Sequence, residues 1–135
     1  NPNVIDSMGW LRYKQGVFND VVDGAGTITQ EGAVTLLTRA IRLSEPGIPN
    51  DAGLEHLGDA QWRAGLTTDA LKTWRQASTA REGTIQFYRG LDGESARATE
   101  LKADLDKLKG KIDAGAAGGQ PAVAPIWPTT NTPAP

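Results

Sequence analysis

Residues 19–31 read NDVVDGAGTITQE, and the centre of this run, Asp23 to Thr29, has residue types and spacing that could hold a calcium ion. An EF-hand loop takes oxygen ligands at positions 1, 3, 5 and 12, with glycine at 6 and an aliphatic residue at 8. Placing Gly26 and Ile28 at the last two puts Asp23 at position 3, but Val21, Ala25 and Gly32 then fall at 1, 5 and 12. The bidentate glutamate is missing. The run reads instead as a small β-hairpin, Val21-Val22 pairing near Thr27-Ile28 across a turn at Asp23-Gly24-Ala25-Gly26. A calcium-responsive regulator is therefore only the third function class, and no calcium-dependent shift in melting is expected. His56 is the only histidine and has neither a serine or cysteine partner at triad spacing nor a second metal ligand nearby. With no phosphate loop, dinucleotide fingerprint or paired-carboxylate motif either, the chain is expected to be no enzyme and to use no cofactor or metal.

The totals narrow the classes further. At 135 residues there is room for one domain and a tail. Hydrophobic residues make up 39% and charged ones 22%, the balance of a globular chain. A net charge of -2 offers no overall attraction to nucleic acid or anionic lipid. Cysteine is absent, which excludes disulfides and thiolate chemistry. No apolar run approaches the roughly 20 residues that span a bilayer. The chain opens Asn1-Pro2 without methionine or signal-peptide pattern, as expected for an internal or processed piece of something longer.

The elements follow from helical periodicity and its stop signals. Asn1 caps a first helix with Pro2 at its first position; Ile5, Met8, Gly9 and Tyr13 follow, and Gly16 ends it. A second helix is expected from about Thr29 or Gln30 to Leu43, presenting Ala33, Leu36, Leu37, Ala40 and Ile41, with a stop at Pro46-Gly47-Ile48-Pro49. Asn50 or Asp51 caps a third carrying Leu54, Leu57, Ala60, Gln61 and Ala64, broken at Gly65. Thr67 or Thr68 caps a fourth with Ala70, Leu71, Trp74 and Ala77 on one face, extended through Thr84 to Tyr88. After a turn at Gly90–Gly93, Asp92 caps a long helix from Glu94 to about Ile112 whose stripe is Ala98, Leu101, Leu105, Leu108 and Ile112; its charged sides read as solvated. Residues 114–135 are uncharged and mostly Ala, Gly, Pro and Thr, a composition that cannot order itself by burial. Their only plausible anchor is Ile126-Trp127-Pro128.

The first half repeats in the second. Ile5, Met8, Gly9, Gly16 and Phe18 fall opposite Leu54, Leu57, Gly58, Gly65 and Thr67, while Ala33, Leu37 and Ala40 fall opposite Ala70, Trp74 and Ala77. These are small and large residues at the positions of tetratricopeptide (TPR) repeats, and the chain resembles that family over about residues 2 to 82. Gly9 and Gly58 stand 49 residues apart; the excess of about 15 over the family period of about 34 lies in two turns, where insertions do least harm. Thr67 where an aromatic is usual, and no proline closing the second repeat, depart from the pattern. The resemblance implies an all-α, antiparallel helix-hairpin solenoid: a first repeat at 1–49 with a hairpin-like insertion at about 19–30, a second at 50–90 with an extended second helix, a capping helix at 91–113, and a tail at 114–135. His56 to Ala77 also resemble the "HLGD..W..G....A...W..A" repeat of bacterial TPR proteins, many of the cell envelope, which points to the periplasm ahead of the cytoplasm.

In TPR proteins the first helix of each repeat lines a concave peptide groove. The resemblance thus implies a groove of Asn3, Asp6, Trp10, Tyr13 and Lys14 beside Ala52, Glu55, Asp59, Trp62 and Arg63. Asp6, Glu55 and Asp59 form an acidic row there, and Trp10, Tyr13 and Trp62 an aromatic one. Members that clamp a chaperone's C-terminal carboxylate carry lysine and asparagine where this chain has Asp6, Trp10, Glu55 and Asp59, so that activity does not carry over. A basic extended peptide, or one rich in proline and aromatics, fits better. Packing of the aromatics against a neighbouring helix or the capping segment is the competing reading, and Trp74 is expected in the core. The tail's Ile126-Trp127-Pro128 could itself lie in the groove, in the same chain or a neighbour's. Exposed Val4, Met8 and Leu11 imply a longer array, a dimer through the first helix or a larger assembly. The expectation is a protein-binding scaffold or assembly factor; the alternative is an accessory subunit built permanently into a multiprotein complex.

Overall fold

The computed structural model describes residues 1–48 and 50–128; Pro49 of the expected inter-repeat turn and residues 129–135 of the tail lie outside them. The chain is mostly helical. Among the described residues, α1 (Pro2–Lys14), α2 (Ala33–Leu43), α3 (Asp51–Arg63), α4 (Thr67–Asp92) and α5 (Ala96–Ala116) follow one another, with the strands β1 (Val21–Val22) and β2 (Ile28–Gln30) between α1 and α2. Each helix packs on the next: α1 on α2, α2 on α3, α3 on α4 and α4 on α5.

Local chemistry sets the helix ends. Asn1 accepts the Asn3 N–H at 2.9 Å, with Pro2 in the first turn, and Asn50 accepts the Gly53 N–H at 3.0 Å. α1 and α3 stop identically: Gly16 and Gly65 adopt φ of 79° and 83°, and Val17 N–H and Leu66 N–H reach back to the carbonyls of Arg12 and Gln61, each at 2.9 Å.

Five boundaries differ from the sequence expectation. α2 begins at Ala33 rather than Thr29 or Gln30, because those two residues belong to the hairpin. Its N-cap position is Gly32, which has no side chain; Asp20 supplies the carboxylate instead, accepting from Gly32 N–H and Thr35 Oγ1, both at 2.8 Å. The hairpin pairs Val21 with Gln30 and Val22 with Ile28, with an irregularity between them. Asp23 accepts the amide hydrogens of Ala25 and Thr27 at 2.9 Å, so its carboxylate shapes the turn. α4 starts after Leu66 and runs unbroken through Gly90 to Gly93, whose φ of 67° ends it. α5 is capped by Ser95, not by Asp92, which lies in α4, and continues to Ala116.

The core comprises three linked clusters. Tyr13, Ala33, Leu37, Leu57 and Ala60 join the first two helix pairs. Ala70, Trp74, Ala77 and Leu108 join α4 to α5. Ile85, Leu101 and Leu105 extend that second contact toward the far end. The repeated glycines stand where helices cross: a Cβ at Gly9 would lie 2.8 Å from Leu37 Cγ, and one at Gly58 2.2 Å from Trp74 Cδ1. The pairs match the sequence alignment of the two halves.

Candidate peptide groove

The surface between α1 and α3 is occupied. After Ala116 the chain turns at Gly118 (φ 77°), and residues 121–128 cross both helices without helix or strand of their own, bent at Ala122 where the Val123 N–H donates to the Pro121 carbonyl at 2.9 Å. Pro121 is buried; Val123 packs on the Trp74 cluster, and Ala124 and Ile126 pack on the Tyr13 cluster.

The grip is on backbone. Ala124 N–H donates to Asp59 Oδ2 at 3.1 Å, and its carbonyl accepts from Tyr13 OH at 2.5 Å and Arg63 Nη2 at 2.8 Å. Arg63 Nε also donates to the Tyr13 oxygen at 2.8 Å, fixing the phenol's direction. At the next residue Lys14 Nζ donates to the Pro125 carbonyl at 3.0 Å, and two residues further Trp127 N–H donates to the Lys14 carbonyl at 2.8 Å. Burial, eased by the Arg63 hydrogen bond, pushes the Tyr13 phenol up to about 12, so it remains a donor through the neutral range.

Beneath the tail lies a buried ionic network. Lys111 of α5 donates to Glu55 Oε2 at 2.8 Å and Asp59 Oδ1 at 2.9 Å. Trp74 Nε1 donates to the same Asp59 oxygen at 3.0 Å. Arg81 of α4 donates to Asp51 at 2.8 Å and Glu55 at 2.7 Å. Burial raises the Glu55 pKa, but hydrogen bonds and charge from Lys111 and Arg81 outweigh it and hold the carboxyl below its ordinary value. Arg81 shows the converse: burial favours the neutral form, and Asp51 and Glu55 more than reverse it.

The expected groove residues divide accordingly. Tyr13, Lys14, Asp59 and Arg63 contact the tail. Glu55 orders Arg81 and Lys111 beneath it. Asp6 faces His56, with Oδ2 and Nδ1 3.5 Å apart. Trp10 stacks on His56 at 3.9 Å and on Tyr13 at 4.5 Å, bordering an open cleft of about 320 Å³ with Ala52, Asp104 and Lys107. Trp62 stacks on Trp74 at 5.6 Å, under the α5 backbone at Gly115, and packs on the same cluster as Val123. Two corrections follow. Within the acidic row, Glu55 and Asp59 are answered by the chain's own Arg81 and Lys111. The tail is anchored from Pro121 to the Trp127 backbone: Ile126 of the expected anchor packs on the Tyr13 cluster and Trp127 is held by its N–H, whereas the Trp127 side chain is 52% exposed and Pro128 is exposed.

Sequence reasoning missed Arg81 and Lys111 as buried charges, and Val123 and Ala124 as docked residues. Arg81 continues the Trp74–Ala77 stripe at the next helical position, and Lys111 lies one turn beyond Leu108. A charge on an apolar stripe signals a buried partner. Comparison with family models, curated proteins and solved structures finds no match for this chain. No helix of the described residues is long and apolar enough to cross a membrane.

Proposed function

We propose that this chain is a protein-binding module, a TPR-like solenoid of two helix hairpins and a capping helix, which takes an extended segment of a partner on the face formed by α1 and α3. One observation carries the reading: Tyr13, Asp59 and Arg63 satisfy both the N–H and the C=O of a single residue, Ala124, in a segment that has no secondary structure of its own. Contacts to backbone hold an extended chain of many sequences, and shallow apolar seats for side chains on either side supply selectivity. The internal pairing of Gly9 with Leu37 and Gly58 with Trp74 supports the repeat architecture. The pairing of Glu55 and Asp59 with Arg81 and Lys111 favours uncharged, proline-containing segments over basic ones. On this reading the chain serves as a scaffold or assembly factor and performs no catalysis.

Affinity capture with the full chain, run beside Arg63→Met, tests the proposal. Proteins retained by the native chain and lost with the variant are the expected outcome. Identical sets from both would overturn it.

A second reading, an accessory subunit fixed in a larger assembly, is favoured by a different observation. Val4, Met8 and Leu11 form an exposed apolar row on the outer face of α1, 40–56% accessible.

A further inference from the structure

We infer that residues 121–128 are a built-in pseudoligand: the tail holds the α1–α3 groove closed, and the partner that displaces it carries an uncharged extended segment of the same kind, an aliphatic residue, alanine, proline and a second aliphatic residue. The inference rests on the groove reading above and adds to it the occupant's chemistry and its regulation.

Three features distinguish a displaceable occupant from a piece of core. First, each group that grips Ala124 keeps another partner when the tail leaves. Asp59 retains Lys111 and the Trp74 indole, and Tyr13 retains Arg63. Emptying the groove therefore leaves no buried charge without its counter-ion, the outcome that makes breaking a buried pair costly. Second, burial of the tail is shallow beyond Pro121, its one buried residue. Val123, Ala124 and Ile126 are only partly covered, and Pro125, Trp127 and Pro128 face solvent. Third, the tether is a short glycine turn, residues 117–120, with no side-chain hydrogen bond of its own to the helices. Such a segment can lift away while α5 stays in place.

The occupant's chemistry is read from its seats. The position of Ala124 lies between two helices whose side chains close on its backbone from both sides, which favours a small residue. Val123 and Ile126 fill neighbouring apolar seats. Pro125 needs no N–H partner there, and its carbonyl takes the Lys14 ammonium. A basic residue in this run would approach Lys14, Arg63 and Lys111, and an acidic one would approach Asp59.

A short tether gives the tail an effective concentration on the order of millimolar, so a free copy of the segment competes against it at a disadvantage. The test uses the acetylated, amidated peptide PAVAPIWP, labelled with a fluorophore, against the full chain and the full-chain variant Val123→Asp/Ile126→Asp, which expels the tail. Fluorescence anisotropy should show binding at least about tenfold tighter to the variant. On the native chain, saturating peptide should raise hydrogen exchange at the Ala124 and Trp127 amides, an observation that does not depend on the variant's folding. Adding Tyr13→Phe to the expelled-tail variant should weaken the peptide severalfold. Equal binding to native chain and variant, with no added exchange in the tail, would overturn the pseudoligand while leaving the groove reading intact. Absence of binding to a variant that retains its cooperative unfolding transition would overturn both. So would binding indifferent to Tyr13→Phe.

Discussion

At the scale of single residues, close approach decides more than composition. Gly58 and Gly9 occupy equivalent positions, yet alanine should be tolerated differently. At Gly58 the added methyl would meet the Trp74 indole at 2.2 Å. That ring is fully buried and tied to Asp59 by its N–H, so it cannot turn aside without losing a buried hydrogen bond worth about 1–3 kcal/mol. Overpacking adds about 1–3 kcal/mol, against a gain of about 1 kcal/mol for alanine's helix propensity. Gly58→Ala should therefore lower stability by roughly 2 kcal/mol or more. At Gly9 the nearest atoms are Leu37 Cγ at 2.8 Å and Leu36 Cβ at 3.2 Å, a shallower overlap that breaks no hydrogen bond, so Gly9→Ala should lose less. Urea denaturation of the two variants checks the order, and a larger loss at Gly9 would contradict the crossing geometry.

At the scale of elements, α3 is joined to α4 and α5 by charge as well as by packing, and this makes stability depend on pH. Folding holds Glu55 below its ordinary 4.5, so the folded chain releases that proton more readily than the unfolded one. Its stabilising contribution is present above pH 4.5 and is lost as pH falls through the lower folded value. Glu55→Gln should cost about 2 kcal/mol at neutral pH, the scale of charged hydrogen bonds. The gap to the native chain should close as the solution is acidified, and a gap constant from neutral pH down to the acid transition would refute this account. The elements themselves were legible to different degrees. α1 and α3 could be read nearly residue by residue, because Asn1, Pro2, Asn50, Gly16 and Gly65 act on their own neighbours. The start of α2 could not, since its capping carboxylate, Asp20, lies twelve residues upstream across the hairpin. Gly90 looked like a stop, yet an exposed glycine with nothing packed on it interrupts no contact and the helix passes through it. Tyr13 of the aromatic row and Asp59 of the acidic row touch the tail, but the partners of these rows, Arg81, Lys111 and Ala124, come from distant segments. Composition marked the tail as unable to order itself, and its order comes from side chains of α1 and α3 rather than from any periodicity of its own.

At the scale of the whole molecule, the two ends are finished differently. α5 covers the outer side of α4, so the C-terminal end presents charge to solvent, whereas nothing among the described residues covers the outer side of α1. Val4, Met8 and Leu11 are exposed there, and Met8 continues into an open cleft shared with Val21, Ile28 and Leu36. Helical repeats bury their flat faces by stacking on a neighbour, and without one this face should associate with itself. The area is small, so the association should be weak, with dissociation in the micromolar range or above. Sedimentation of the native chain should show a mean mass that rises with concentration. Met8→Glu should return it to that of a monomer without lowering the denaturation midpoint, because Met8 is already solvent-accessible and contributes little to folding. Exchange of tails between two copies would also raise the mass, but that route depends on Val123 and Ile126. The variant Val123→Asp/Ile126→Asp would abolish it while leaving the α1 face untouched. If the native chain stays monomeric at every concentration, the bare face of α1 does not self-associate, and with it falls the observation that favours an accessory subunit over a free-standing binding module.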